Sequence, residues 1–306
     1  MTSQIYDHVT ALVGNTPVFR LPRISAELGA EIFAKAEHLN PGGSIKDRIA
    51  LAMVDAAEAA GHIQKGQTLV EATAGNTGIG LAWIAAARGY KFVSVMNASD
   101  KGPKTELMES MGAEVALADP EIPWDTDEGC LGIAQRIADE RGGLFLNQFA
   151  NAANPDVHEK TTAPEILAAF DKLDFLIVGV GTGGTVTGLA RGLKPHMPEL
   201  QIVGVPAEGS YLGSEKPGDR IAGITPDFEA EVFDPKSMDI LFPVDADSAF
   251  AAARRLLETE GLPVGHSSGA FLVAAEHLAQ KHPGSKILFF TCDSVRNYSQ
   301  LLGRGR

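Results

Sequence analysis

The sequence predicts an α/β fold, a largely parallel sheet with helices on both faces, and three observations predict it. Short apolar, β-branched runs alternate with longer segments whose apolar residues recur at helical spacing. Several of the longer segments end at glycine, the residue that most easily takes the left-handed turn closing a helix. At two places an apolar run passes through a glycine turn straight into a helical pattern, the arrangement that presents backbone N–H groups to an anion.

In chain order, the first clear helix covers 45–61, with Ser44 and Asp47 spaced as a capping box and Gly61 at its end. Strand 68–71 follows, then helix 77–89 closed by Gly89, strand 92–96, helix 104–112 closed by Gly112, strand 114–118 and helix 133–141. Helix 164–171 precedes the apolar strand 175–180, a helical pattern over 186–193 and strand 202–205. Strand 240–244, helix 247–260, helix 270–282 and strand 287–290 complete the alternation. Loop 206–235, rich in Gly, Pro and Asp, is too long for a simple connection and suggests a functional segment.

The 306 residues fit one large α/β domain or two interleaved lobes, and 44% hydrophobic with 21% charged residues is an ordinary globular balance. No apolar run approaches the roughly 20 residues that span a bilayer, and the start Met1–Asp7 has neither a basic nor an apolar export region. A soluble, cytoplasmic protein is expected. Cys130 and Cys292, with no CxxC pair, read as two reduced thiols, without disulfide or metal. A net charge of −13 with no dense basic run argues against nucleic acid, so the expected ligand is small.

Four segments carry chemistry. In Asn40-Pro41-Gly42-Gly43-Ser44-Ile45-Lys46-Asp47-Arg48, Lys46 lies in the first helical turn, where the positive end of the helix dipole favours the neutral amine that Schiff-base chemistry requires. The same place also suits a solvated lysine. Glu71-Ala72-Thr73-Ala74-Gly75-Asn76-Thr77-Gly78 is an anion loop in which Thr73 and Thr77 suit a carboxylate and Asn76 can donate to a phenolic oxygen. Gly179-Val180-Gly181-Thr182-Gly183-Gly184-Thr185 is a phosphate cradle. It also fits a dinucleotide Gly-x-Gly-x-x-Gly with Glu208 beyond it, the mark of a nicotinamide-dependent dehydrogenase, but that reading leaves Lys46 and the first loop without a role. A phosphate-binding Walker loop is ruled out because no Gly-Lys-Ser/Thr closes the segment. Gly265-His266-Ser267-Ser268-Gly269 formally matches a nucleophile elbow, yet no histidine follows His282, so Ser267 lacks the base of a hydrolase triad.

Taken in order, these segments resemble the pyridoxal-phosphate β-family, and within it the cysteine synthase and cystathionine β-synthase group. The likeness runs from Gly14-Asn15-Thr16-Pro17 through Gln148-Phe149-Ala150-Asn151, Asn154-Pro155, His158 and Thr161-Thr162 to Asp293-Ser294-Val295-Arg296-Asn297-Tyr298. The resemblance implies a fold type II enzyme of two interleaved lobes: residues 1–40 with 149–306 anchoring the cofactor, and 41–148 closing over the substrate. It implies that Lys46 forms the aldimine with pyridoxal 5′-phosphate and acts as the base, and that Gly181, Thr182, Gly183, Gly184 and Thr185 hold the phosphate. Asn76 would contact the ring oxygen, Ser267 the ring nitrogen, and Thr73, Gly75, Thr77 and Gln148 the substrate carboxylate. A serine beside the nitrogen gives a weaker electron sink than an acid and disfavours transamination.

The reaction so implied is β-replacement on an activated serine, O-acetylserine, through an aminoacrylate, with sulfide as acceptor and L-cysteine as product, in a homodimer. Homocysteine as acceptor, a specialised β-substituted alanine synthase and a non-catalytic cofactor-binding subunit are the alternatives. Departures from the family wording fall at Ala74, where serine is usual, at Asn97-Ala98 and Lys101–Lys104, and at Pro206 and Gly223–Phe228, around the expected acceptor entrance. The ending Asp293–Tyr298 is similar to cystathionine β-synthases, although a chain of this length is expected to lack their haem-binding extension and regulatory domain pair.

Overall fold

The computed structural model describes residues 5–213 and 220–298. Ten strands follow one another as β1 Val18–Arg20, β2 Glu31–Lys35, β3 Thr68–Ala72, β4 Lys91–Asn97, β5 Glu114–Ala118, β6 Leu144–Phe145, β7 Phe175–Gly179, β8 Gln201–Val205, β9 Ile240–Leu241 and β10 Lys286–Phe290. The α-helices are α1 Pro22–Leu28, α2 Lys46–Ala59, α3 Asn76–Arg88, α4 Pro103–Ser110, α5 Cys130–Arg141, α6 Ala153–Val157, α7 Ala163–Ala169, α8 Gly184–Leu193, α9 Ala246–Glu260 and α10 His266–Lys281. A π-helical turn, His158–Thr162, links α6 to α7. Among the described residues no helix is long and apolar enough to cross a membrane.

The chain folds into two compact units, each assembled from two separate stretches. One takes in the segment up to Asn15 together with Asn40–Ala153, the other Thr16–Leu39 together with the chain from Asn154 onward. The segment before Thr16 lies with the smaller unit, and that unit runs on to Ala153. His8 shows why, since its ring reaches the carbonyl of Ala87 at the end of α3.

The smaller unit is built on a four-stranded parallel sheet ordered β5-β4-β3-β6. Every residue of β3 is buried, so its side chains face apolar neighbours on both surfaces of the sheet. Val70, Ala72, Val93 and Val95 pack with Cys130, Ala134 and Ala138 of α5. Burial pushes the Cys130 thiol up to about 12, which makes it a packing residue and not a nucleophile.

The larger unit carries a six-stranded sheet ordered β1-β2-β10-β7-β8-β9, antiparallel only between β1 and β2. Its core is the run Ile287–Phe290 beside Leu176–Val178 and Ile202–Val203, all buried. The expected strand over 240–244 shortens to Ile240–Leu241: Phe242 and Val244 still donate to Gly204 O (2.9 Å) and Pro206 O (3.1 Å), but Pro206 has no N–H to return a bond to Phe242. Of loop 206–235, positions 214–219 lie outside the described residues, as do the first four residues of the chain. In the described part the loop folds back on itself, with the Ala207 N–H donating to Ile224 O (2.7 Å) and Arg220 paired with Asp227 (2.7 Å).

Candidate active site

The residues singled out by sequence divide between the units: Lys46, Thr73, Gly75, Asn76, Thr77 and Gln148 in the smaller, Gly181–Thr185 and Ser267 in the larger.

In the smaller unit Lys46 is the first residue of α2 and is half-buried. The expected capping box does not form. Ser44 Oγ accepts from the Lys46 N–H (3.2 Å), while Asp47 turns its carboxylate back to accept from the Gly42 N–H (2.6 Å) and the Trp83 indole N–H (3.3 Å). The second segment is a strand, turn and helix as expected: β3 ends at Ala72, the Gly75 N–H donates to Thr73 Oγ1 (3.2 Å), and Asn76 opens α3. No acidic residue occupies the first turn of α3, so the positive end of the helix is left for a ligand anion. Gln148 is brought to this loop, where its amide oxygen accepts from Thr77 Oγ1 (2.7 Å) and its amide nitrogen donates to Ala72 O (3.2 Å). Its amide is thus a brace that orients the Thr77 hydroxyl, a role the sequence alone did not reveal.

Beneath that loop Glu71 is fully buried and accepts from the Gln148 N–H (3.2 Å). Burial pushes its carboxyl up to about 8, outweighing the backbone donors of Gln148, Ala72 and Asn147 that favour the charged form. The folded protein therefore keeps a proton that the unfolded chain gives up above about 4.5, and stability falls as pH rises from about 4.5 to about 8. The full loss is on the order of 3–5 kcal/mol. Glu71→Gln, neutral at every pH, is expected to melt several degrees above the parent at pH 9 and close to it at pH 5, measured by thermal denaturation in matched buffers.

In the larger unit the glycine loop leaves β7 and enters α8 at Gly184. A Cβ on Gly181 would overlap the Gly223 carbonyl oxygen, and one on Gly184 the Asn154 side chain. Gly183 is left-handed (φ 80°), and a Cβ there would overlap the Phe233 ring. Only bare backbone fits, which lets N–H groups reach an anion closely. Buried partners fix the threonines between the glycines: Asn154 Nδ2 donates to Thr182 Oγ1 (3.0 Å), and His158 bridges Thr185 Oγ1 (3.1 Å, through Nε2) and Thr162 Oγ1 (3.0 Å, through Nδ1). Asn154 and His158 stood out in the sequence only as wording, and their supporting contacts come from the fold.

Ser267 is buried in the first turn of α10, whose start also carries no acid. The helix start is tied to the chain after β10 by the Gly265 N–H to Asp293 O (3.1 Å), and Tyr298 Oη donates to the Asp293 carboxylate (2.7 Å). His282 caps the opposite end of α10, about 22 Å along the axis from Ser267, so it cannot serve Ser267 as a base.

Each unit carries groups of the kind pyridoxal phosphate takes: in the larger, a phosphate cradle made of backbone and a buried hydroxyl on a helix start; in the smaller, a lysine at a helix start and a loop suited to a carboxylate. Comparison with known proteins points the same way. The chain is 40% identical over 307 residues to cystathionine beta-synthase of Rattus norvegicus, covering 96% of this chain, and it spans 55% of that longer relative. It is 38% identical to the cysteine synthase of Staphylococcus aureus over 285 residues, 92% of this chain and 91% of the relative. The crystal structure of O-ureido-L-serine synthase superposes with a TM-score of 0.93 at 35% identity, covering 99% of this chain and 97% of that one. A family model described as pyridoxal-phosphate dependent enzyme matches residues 9–293, and this chain belongs to the pyridoxal-phosphate dependent enzymes.

Proposed function

We propose that the protein carries out β-replacement on O-acetylserine, with sulfide as acceptor and L-cysteine as product. The observation that carries this reading is the end-to-end match to a cysteine synthase, which covers more than nine-tenths of both chains. A cystathionine-forming reaction with homocysteine is the second reading. It is favoured by the 40% identity to cystathionine beta-synthase, although the chain spans only 55% of that relative. The likeness to O-ureido-L-serine synthase supports a third, another β-substituted alanine as product.

When bound, pyridoxal phosphate supplies the electron sink for the charge that develops at the substrate α-carbon. In this reading Lys46 would hold the cofactor through its Nζ and, with the substrate bound, would take the α-proton at that nitrogen. Gly181, Thr182, Gly183, Gly184 and Thr185 hold the phosphate, Asn76 donates to the ring oxygen and Ser267 to the ring nitrogen. Thr73, Gly75, Thr77 and Gln148 bind the substrate carboxylate at the helix start. The reading includes a cytoplasmic homodimer, for which size-exclusion chromatography with light scattering is the check.

The test is a spectral titration of the purified protein with serine, O-acetylserine and O-phosphoserine in turn, followed by sulfide or homocysteine. O-acetylserine is expected to change the cofactor spectrum and release acetate, with sulfide restoring the starting spectrum and yielding cysteine. Restoration by homocysteine alone would select the cystathionine reaction, and no change with any serine derivative would overturn β-replacement.

A further inference from the structure

Asp47 follows the lysine of the site and is fully buried, and the roles assigned above leave its carboxylate unused. It joins three pieces of the smaller unit. One oxygen accepts from the Gly42 N–H (2.6 Å) in the loop before α2, the other from Trp83 Nε1 (3.3 Å) on α3, and the residue itself sits in the first turn of α2. The packing is built around that bridge. A Cβ on Gly42 would overlap both Trp83 Nε1 and Asp47 Oδ1, and one on Gly80 of α3 would come within 3.0 Å of the Ala50 Cβ and 3.3 Å of Asp47 Oδ1. Glycine at these positions lets α2 and α3 approach closely enough for a short side chain to span them.

We propose that Asp47 is a positioning residue for Lys46: its carboxylate pins the Asn40–Ser44 loop and the first turn of α2 to α3, and so fixes the direction in which the lysine leaves the helix. An acceptor-only group suits this place, because the Gly42 N–H and the Trp83 indole N–H are both donors. An amide of the same size satisfies one of them and turns an N–H toward the other. An error of about 1 Å in the placement of a reacting amine is enough to cost roughly 100-fold in rate. The inference rests on Lys46 being the residue that bonds the cofactor.

The test uses the full chain, stripped of cofactor and supplied with pyridoxal phosphate. It follows covalent capture on Lys46 by borohydride quenching and peptide mass spectrometry, with pyridoxamine phosphate, which cannot bond lysine, reporting non-covalent affinity. Asp47→Asn is expected to slow capture by roughly 10–100-fold while pyridoxamine phosphate affinity stays within about threefold. The indole N–H resonance of Trp83, one of two tryptophans and assigned with Trp83→Phe, is expected to move upfield in the same variant. Trp83→Phe keeps the carboxylate and the Gly42 bond, so it should slow capture less. Added to Asp47→Asn it should restore part of the rate by removing the facing donor. An Asp47→Asn rate within twofold of the parent overturns the positioning role, as does an unmoved indole resonance. If Asp47→Asn does not fold, capture by Trp83→Phe equal to the parent overturns it. A parent with no adduct on Lys46 overturns the cofactor reading, and the positioning role with it.

Discussion

Lys46→Ala is expected to leave a folded, colourless protein whose turnover falls by about 1,000-fold or more, the combined loss of a covalent anchor and a positioned base. Stability should not follow activity. Lys46 is half-buried at the start of α2, where a positive charge opposes the helix dipole and alanine is the best helix former. The melting temperature is therefore expected to stay within about 1 kcal/mol of the parent in stability terms. The phosphate loop is untouched, so non-covalent binding of the cofactor should persist and be washed out on dialysis. Absorbance, borohydride fixation and melting measured on one preparation separate these effects, and cofactor still covalently fixed in the variant would remove Lys46 from its role.

Gly183→Ala should do the reverse, acting first on the fold. The residue is left-handed and its missing Cβ points into the Phe233 ring. Backbone strain costs roughly 1–2 kcal/mol and the overlap another 1–3, so a total of about 2–5 kcal/mol is expected. In a chain of this size that corresponds to a fall in melting temperature of roughly 5–15 °C. Relief of the overlap would move the turn that opens α8, so affinity for pyridoxal phosphate should drop as well. Gly284→Ala is the control, because that glycine is also left-handed (φ 78°) but has open space around its Cβ position. It should show the backbone cost alone and unchanged cofactor affinity by equilibrium dialysis. Equal losses in the two variants would mean that Phe233 does not constrain the loop.

The parts of the fold legible in the sequence are those where local pattern and final environment agree. Strands at 68–72, 91–97 and 175–179 are β-branched and buried, and the alternation correctly announced helices between them. β2 was missed because Glu31-Ile32-Phe33-Ala34-Lys35 reads as a helix former. It becomes a strand through partners far away in sequence, with Lys35 buried against Thr16 (2.7 Å) and Glu165 (2.6 Å). β6 and β9 are two residues each, too short to show a period. The same division holds for the site. The helix start at Lys46 and the two strand–turn–helix loops were readable because a glycine turn between an apolar run and a helical pattern is a local signal. Glu71, Asp47, Asn154 and His158 act through hydrogen bonds that only the folded chain creates, and the supposed capping box failed because Asp47 found Gly42 and Trp83 instead.

Among the described residues, the strand that joins the two halves of the larger sheet is the last one the ribosome makes. β10 lies between β2 and β7, pairing Ile287 with Ile32 on one side and with Phe175 on the other. The smaller unit has all its strands once Phe145 has emerged and all its chain once Ala153 has. The larger one must wait until Phe290, a further 137 residues (290 − 153), or on the order of 10 s of synthesis. During that interval β2 and β7 present open apolar edges to solvent, the condition under which nascent chains aggregate or recruit chaperones. A ribosome stall or premature stop just before Lys286 would release a chain with one finished unit and one sheet split down the middle.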